Sequence, residues 1–237
     1  MTWSIIARDE TSGRVGIIVA TKFFAVGAMV PYIRTGIGAV ATQAFMNPYF
    51  GPRGLDLIAA GKSASDTVKA LVASDAGRDS RQLHVMDTAG RFAAHTGTNC
   101  VDWCGSLQRA TFSVAGNMLA GEAVITETAR AYEANAQLPF ARRLIAAMVA
   151  GEAAGGDKRG KQSAALRIHD GEDYALYDLR VDDHPDPLTE LARLQTVARD
   201  RYLHFRRRMP SKAHPAGDTD RSTMEAFVAR SIAERYE

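Results

Sequence analysis

Cysteine is scarce in this chain, with Cys100 and Cys104 its only two in 237 residues. That excludes the disulfide framework on which small secreted folds depend. No apolar run approaches the length of a bilayer span, so a membrane protein is not expected. A formal net charge of +2 supplies no field that would gather phosphate backbones, and no nucleic-acid partner is expected either. Arg8, Asp9 and Glu10 interrupt the first apolar stretch, which therefore does not read as a secretory signal. These absences point to a cytoplasmic protein. Hydrophobic residues at 46% and charged residues at 24% give an ordinary globular composition, enough to build a full core.

The chain punctuates itself clearly. Trp3 to Ala7 and Val15 to Thr21, around Asp9-Glu10-Thr11-Ser12-Gly13, read as a β-hairpin. A third strand is expected over Ile37 to Gln43, followed by a proline- and glycine-rich loop from Asn47 to Pro52. Gly54 to Ala60 and Ser65 to Ala73 carry helical periodicity, with Ser63 and Ser65 as candidate caps for the second. Gln82 to Met86 and Arg91 to Thr96 flank the hairpin signature Asp87-Thr88-Ala89-Gly90, and Phe112 to Ala115 is a further strand. Glu122 to Ala150 reads as a helical pair broken at Leu138-Pro139. Ala164 to Ile168 and Tyr174 to Val181 form another hairpin, Pro187 opens a helix to about Phe205, and Lys212 to Thr219 links to a last helix, Met224 to Arg235. Blocks of strands separated by helical hairpins predict an α+β fold of two facing antiparallel sheets with helices outside, over residues 1–210, plus a linker and terminal helix over residues 211–237.

Several motifs fall short. Gly36-Ile37-Gly38-Ala39-Val40-Ala41 has dinucleotide-loop spacing but enters a β-rich segment. Gly61-Lys62-Ser63 lacks the first glycine of a phosphate loop, because Asp56 stands there. Cys100 and Cys104, with His84 and His95, lack zinc-ligand spacing. Asp182-Asp183-His184-Pro185-Asp186 reads as a cap before Pro187, and Arg206-Arg207-Arg208 as a solvated helix end. No metal or cofactor is expected.

The sharp feature is Met1-Thr2-Trp3-Ser4. Initiator methionine is commonly trimmed ahead of a small residue, and trimming would set the Thr2 hydroxyl beside its own α-amine. An α-amine titrates near neutrality and can take the hydroxyl proton. Strand alternation puts Thr2 and Ser4 on one face, Trp3 and Ile5 on the other. Asp157, Arg159, Gln162 and Ser163 form a polar cluster before a strand, where the planar fork of Arg159 suits a carboxylate.

Four stretches closely resemble the bacterial domain-of-unknown-function family 1028. They are Thr2 to Phe45, Gly51-Pro52-Arg53-Gly54, Gly116-Asn117-Met118-Leu119-Ala120-Gly121, and Gly155-Gly156-Asp157 with Gln162-Ser163-Ala164-Ala165. The resemblance runs from residue 2 to about residue 205. It implies an N-terminal-nucleophile (Ntn) hydrolase-like αββα sandwich of four layers, with no assigned activity. It also implies Thr2 as nucleophile and base, and either Lys22 or Arg34 as the nearby cation. Asn117 would support the threonine or an oxyanion. Ser4, Gln43, Asp157, Arg159, Gln162 and Ser163 would then contact substrate. The expected function is an amidohydrolase acting on a small amide or γ-glutamyl-like compound, with a homodimer expected from the fold. The alternative is a non-catalytic protein of the same fold that binds a metabolite or serves in an assembly.

Overall fold

The structure is a computed structural model and describes residues 2–234. Two antiparallel sheets lie face to face. The first has six strands in the order β10-β9-β2-β1-β8-β7 and the second four in the order β3-β4-β5-β6. In chain order these are β1 (Thr2–Arg8), β2 (Val15–Thr21), β3 (Pro31–Arg34), β4 (Gly38–Ala44), β5 (Arg81–Met86), β6 (Phe92–Thr96), β7 (Gly105–Gln108), β8 (Phe112–Asn117), β9 (Ser163–His169) and β10 (Tyr177–Val181). Helices α1 (Phe50–Ala59) and α2 (Ala64–Ala73) cover the outer face of the small sheet. Helices α3 (Ala123–Ala134) and α4 (Phe140–Ala153) cover the large one. This is the expected four-layer αββα sandwich.

Strand alternation explains why the layers adhere. Ile6, Ile17 and Val19 from the large sheet meet Ala39, Ala41 and Met86 from the small one in a core between the sheets. Val40, Leu83 and Val85 face the other way and pack with Phe50, Leu55, Ile58 and Leu71 under α1 and α2. Each large apolar side chain buried this way contributes ~1.5–3 kcal/mol. Close approach is built in at Gly38, where a Cβ would meet the Met86 carbonyl oxygen at 2.3 Å. Gly36 before it turns the chain at φ +75°. Together these two glycines make a strand entry.

The chain forms two compact units, Met1–Leu191 and Ala192–Glu237, with the boundary inside helix α5 (Pro187–Asp200). Asp186 caps α5 by accepting hydrogen bonds from Thr189, which lowers its pKa. In the second unit α6 (Tyr202–Arg206) packs with α7 (Arg221–Ala233). His204 Nδ1 lies 2.8 Å from Ser231 Oγ, Arg201 pairs with Glu225 at 2.6 Å, and the guanidinium of Arg208 sits 4.0 Å over the Phe227 ring. Arg206 is itself buried while Arg207 is exposed, so the arginine run is only in part the solvated helix end expected from its charge. The expected end of the last helix, Arg235, lies outside the described residues.

Other boundaries shifted for identifiable reasons. Helix α1 starts at Phe50, inside the expected loop, because Pro52 falls in the first turn, where its lack of an N–H forfeits no intrahelical hydrogen bond. Strands β3 and β7 went unread. Each is only four residues long and lies at a sheet edge, and β3 opens on Pro31, which an edge strand tolerates. The helix from Pro187 breaks at Arg201, leaving α6 as a separate turn. The strand expected from Tyr174 starts only at Tyr177.

Candidate active site at the head of the first strand

Thr2 opens β1, a central strand of the large sheet, and pairs in register with Asn117 at the end of β8. Thr21 ends β2 one strand away, and the Thr2 hydroxyl donates to Thr21 Oγ1 at 3.2 Å. Thr2 is buried among these neighbours. It forms part of the wall of a cavity of about 400 Å³ with Asn117, Arg81, Arg159 and Cys100, and with Phe23, Val26, Met29, Phe45, Met46 and Met118.

Three tight turns shape that cavity. The described non-glycine residues with positive φ are Ala25 (+52°), Ala44 (+66°) and Met118 (+58°). Ala44 and Met118 line the cavity, and Ala25 lies between Phe23 and Val26, which do. A left-handed conformation at a residue with a Cβ costs of order 1 kcal/mol and persists only where its surroundings enforce it. They do so here. The Ala25 N–H donates to the Asp182 carbonyl, Phe45 N–H to Ser80, and Met118 N–H to Val101 at 2.7 Å. Nothing in an alanine or a methionine announces such a turn in sequence.

Behind Thr2 runs a polar network between the sheets. Gln82 Oε1 accepts from Gln43 Nε2 at 2.8 Å and from Asn117 Nδ2 at 2.9 Å. The same two amides reach the Thr2 carbonyl at 3.4 Å each. Gln82 Nε2 in turn donates to the Gly116 carbonyl at 2.8 Å and to Thr96 Oγ1 at 2.9 Å. Asn117 therefore directs its amide at Gln82 and the Thr2 backbone. Through those contacts it supports the Thr2 backbone.

The network continues inward through Ser4, which donates to Gln43 Oε1 at 2.8 Å and lies 2.9 Å from His84 Nε2. His84 Nδ1 is 2.9 Å from Ser113 Oγ. Since the one Ser4 proton goes to Gln43, His84 must donate from Nε2 and accept at Nδ1 from Ser113. His84 is fully buried, and burial lowers its pKa to about 3. The folded state keeps this imidazole neutral while the unfolded chain protonates it below about 6.5, so the unfolded state binds the extra proton and stability falls as pH drops. Between about pH 6.5 and about 3 the loss runs at ~1.4 kcal/mol per pH unit. Asp75, held down to about 2 chiefly by its hydrogen bond from Arg81, adds a loss only below the ordinary carboxylate range. Urea unfolding at pH 7 and pH 5 should show a drop of about 2 kcal/mol, and the His84 resonances should not titrate above pH 4. A His84 titrating near 6.5 would contradict the buried neutral ring.

The sequence-derived site residues divide into four sets. Thr2, Asn117 and Arg159 meet at the cavity. Asp157 stands just behind, accepting from Lys22 N–H and Arg159 N–H at 2.8 Å each and from Arg159 Nη2 at 3.2 Å. That carboxylate fixes the guanidinium plane and ties down the chain after β2. Ser4 and Gln43 are fully buried in the network and cannot touch a substrate.

The remaining four lie elsewhere. Lys22 extends its ammonium to the Lys161 carbonyl at 3.0 Å, outside the cavity, because the chain turns outward as β2 ends. Arg34 pairs with Asp56 at 2.9 Å at the opposite end of the sandwich, because β3 runs away from the cavity that β2 reaches. Gln162 donates to Asp183 at 3.1 Å. Ser163 is buried, donates to the Phe23 carbonyl at 2.5 Å and accepts from Val26 N–H at 3.1 Å, so it shapes the cavity wall from behind.

Sequence reasoning missed Arg81, Gln82, His84 and Ser113. Arg81 donates to Asp75 at 2.8 Å and to the Phe45 carbonyl, bracing the turn after β4. Among the described residues no cluster of His, Cys, Asp or Glu has the makings of a metal site, and no helix is long and apolar enough to cross a membrane.

Comparison with known proteins returned no match among curated proteins. Among solved structures, protein SPO2555 from Silicibacter pomeroyi is 32% identical, with a TM-score of 0.86 over 92% of this chain and 96% of its own. Anbu (ancestral beta-subunit) from Yersinia bercovieri gives 10% identity and a TM-score of 0.40 over 83% of this chain and 94% of its own. Anbu from Hyphomicrobium sp. strain MC1 gives 10% and 0.39 over the same shares. The first of these carries the same family assignment that a family model gives here over residues 2–191. With that match running through β1, the cavity turns and the strands behind them, the chain belongs to the family of unknown function DUF1028.

Proposed function

We propose that this protein is an amide hydrolase of the N-terminal-nucleophile type, with Thr2 exposed by loss of Met1. The observation that carries the reading is the position of Thr2 as first residue of a central strand, on a cavity wall, with its carbonyl held by Gln43 and Asn117. A nucleophile needs this fixity, because misplacement by 1 Å costs large factors in rate. No lysine lines the cavity among the described residues, so the Thr2 α-amine is the base. It takes the Oγ1 proton as Oγ1 attacks the amide carbonyl, and the resulting ammonium returns that proton to the leaving amine. Water, deprotonated by the same amine, then cleaves the acyl ester and Oγ1 regains its proton. Met46 lines the cavity, its N–H has no acceptor among the described residues, and that N–H is our candidate donor to the oxyanion. Turnover of acyl anilides that vanishes in Thr2→Ala would uphold this reading. Equal turnover by that variant would remove it.

A second reading, a binding or assembly module on the same fold, is favoured by two exposed aromatics on the cavity wall, Phe23 at 51% and Phe45 at 74%. Light scattering distinguishes it: a concentration-dependent oligomer abolished by Phe45→Ser would favour a self-docking face.

A further inference from the structure

The wall of the cavity at Thr2 divides by strand. In the large sheet β2 and β8 flank β1, and across the gap β4 faces β1 and β2 while β5 faces β1 and β8. The chain leaving β2 and β4 supplies Phe23, Val26, Met29, Phe45 and Met46, so that side of Thr2 is apolar, and its two methionines adapt their shape to a chain. The other side is built from the start of β5, the end of β8 and the loop between β6 and β7, and it carries Ser80, Asn99 and Asn117. The charges on the wall are already matched. Arg81 is ion-paired with Asp75 at 2.8 Å and Arg159 with Asp157 at 3.2 Å, and no described wall residue is Asp, Glu or Lys. The neutral polar groups are the ones left over. The Ser80 hydroxyl and the Asn99 carboxamide have no partner among the described residues, and Asn117 Oδ1 accepts no bond there although its Nδ2 is engaged. A γ-glutamyl group carries both an ammonium and a carboxylate, and this wall holds no unpaired charge for either.

We infer that the cavity takes an uncharged amide with two unlike arms, a medium-length apolar group on the β2 and β4 side and a small neutral hydrogen-bonding group on the β5 and β8 side. The inference rests on the cavity being the amide-cleaving site, but it concerns binding and is testable apart from cleavage. Four matched probes test it. N-hexanoylglycinamide carries both arms, and N-acetylglycinamide shortens the apolar one. N-ethylhexanamide has a methyl group in place of the second carboxamide, and N-hexanoylglycine has a carboxylate there. Calorimetric titration into the wild-type protein and into Thr2→Ala should give N-hexanoylglycinamide the tightest binding. The margin should be at least about tenfold over N-acetylglycinamide, and at least about threefold over N-ethylhexanamide and N-hexanoylglycine. The double variant Ser80→Ala, Asn99→Ala removes side-chain groups that hold no protein partner, so it should stay folded. It should lose most of the advantage over N-ethylhexanamide and keep the advantage over N-acetylglycinamide.

N-acetylglycinamide binding as tightly as N-hexanoylglycinamide would overturn the apolar arm. N-hexanoylglycine binding as tightly or more so would overturn the uncharged class. N-ethylhexanamide binding as tightly, or an advantage over it untouched by the double variant, would overturn the polar arm. No binding of any probe at millimolar concentration would overturn the whole. Should both proteins bind in the stated order while the wild type cleaves nothing, the ligand class stands and the hydrolase reading falls. Cleavage of acyl anilides without that order of binding does the reverse.

Discussion

Thr2→Ala should lose amide turnover by at least about a thousandfold while remaining folded. The change removes the nucleophilic oxygen and leaves the backbone of β1, its ladder with Asn117 and the α-amine of a trimmed chain in place. Its structural cost is bounded by the hydrogen bonds of one buried hydroxyl, among them the 3.2 Å bond to Thr21, at about 1 kcal/mol each. A few degrees of melting temperature are therefore expected, against a rate loss of more than 4 kcal/mol in barrier terms, with ~1.4 kcal/mol per factor of ten. Thr2→Ser keeps both hydroxyl and amine and should retain measurable activity. Those two variants separate loss of chemistry from loss of fold, because both disturb packing and only one removes the oxygen.

The largest stability effect is expected at Gln82. Gln82→Leu withdraws the acceptor shared by Gln43 and Asn117 and the donor to Gly116 and Thr96, all between the sheets. Each buried polar group losing a partner costs ~1–3 kcal/mol, and the leucine regains at most ~2 kcal/mol of apolar burial. A net loss of roughly 3–5 kcal/mol follows, a large share of the 5–15 kcal/mol typical of a domain. Chemical denaturation should show it as a lower midpoint. Because the same amides hold the Thr2 carbonyl, the variant should also turn over poorly even where it remains folded. Unchanged stability would mean that these contacts are not formed in solution.

The sequence carried the frame of the site further than its contents. Period-two alternation placed Thr2 and Ser4 on one face, and the structure has both turned inward between the sheets. Alternation failed in β5, where Gln82 and His84 occupy the positions that a one-sided sheet would give to solvent. Here both faces are buried, Leu83 and Val85 under the helices and Gln82 and His84 between the sheets. A polar residue in such a strand therefore marks an internal network. Only topology could have supplied the rest. Lys22 and Arg34 both follow the first hairpin closely in sequence, but one projects outward past the end of β2 and the other rides β3 to the far end. The cluster from Asp157 to Ser163, contiguous in sequence, splits because Ser163 enters β9 facing inward while Gln162 turns toward Asp183. The cavity itself depends on left-handed turns at Ala25, Ala44 and Met118, and none of those residues has a propensity that signals one.

The most direct measurement is the intact mass of the protein, produced with nothing ahead of Met1, before and after treatment with a β-lactone, followed by peptide mapping. The nucleophile reading predicts a chain lighter by one methionine residue that gains a single acyl adduct, mapped to Thr2 and absent from Thr2→Ala. A chain that keeps Met1, or an adduct that maps to the cavity thiol Cys100 and persists in Thr2→Ala, would contradict it.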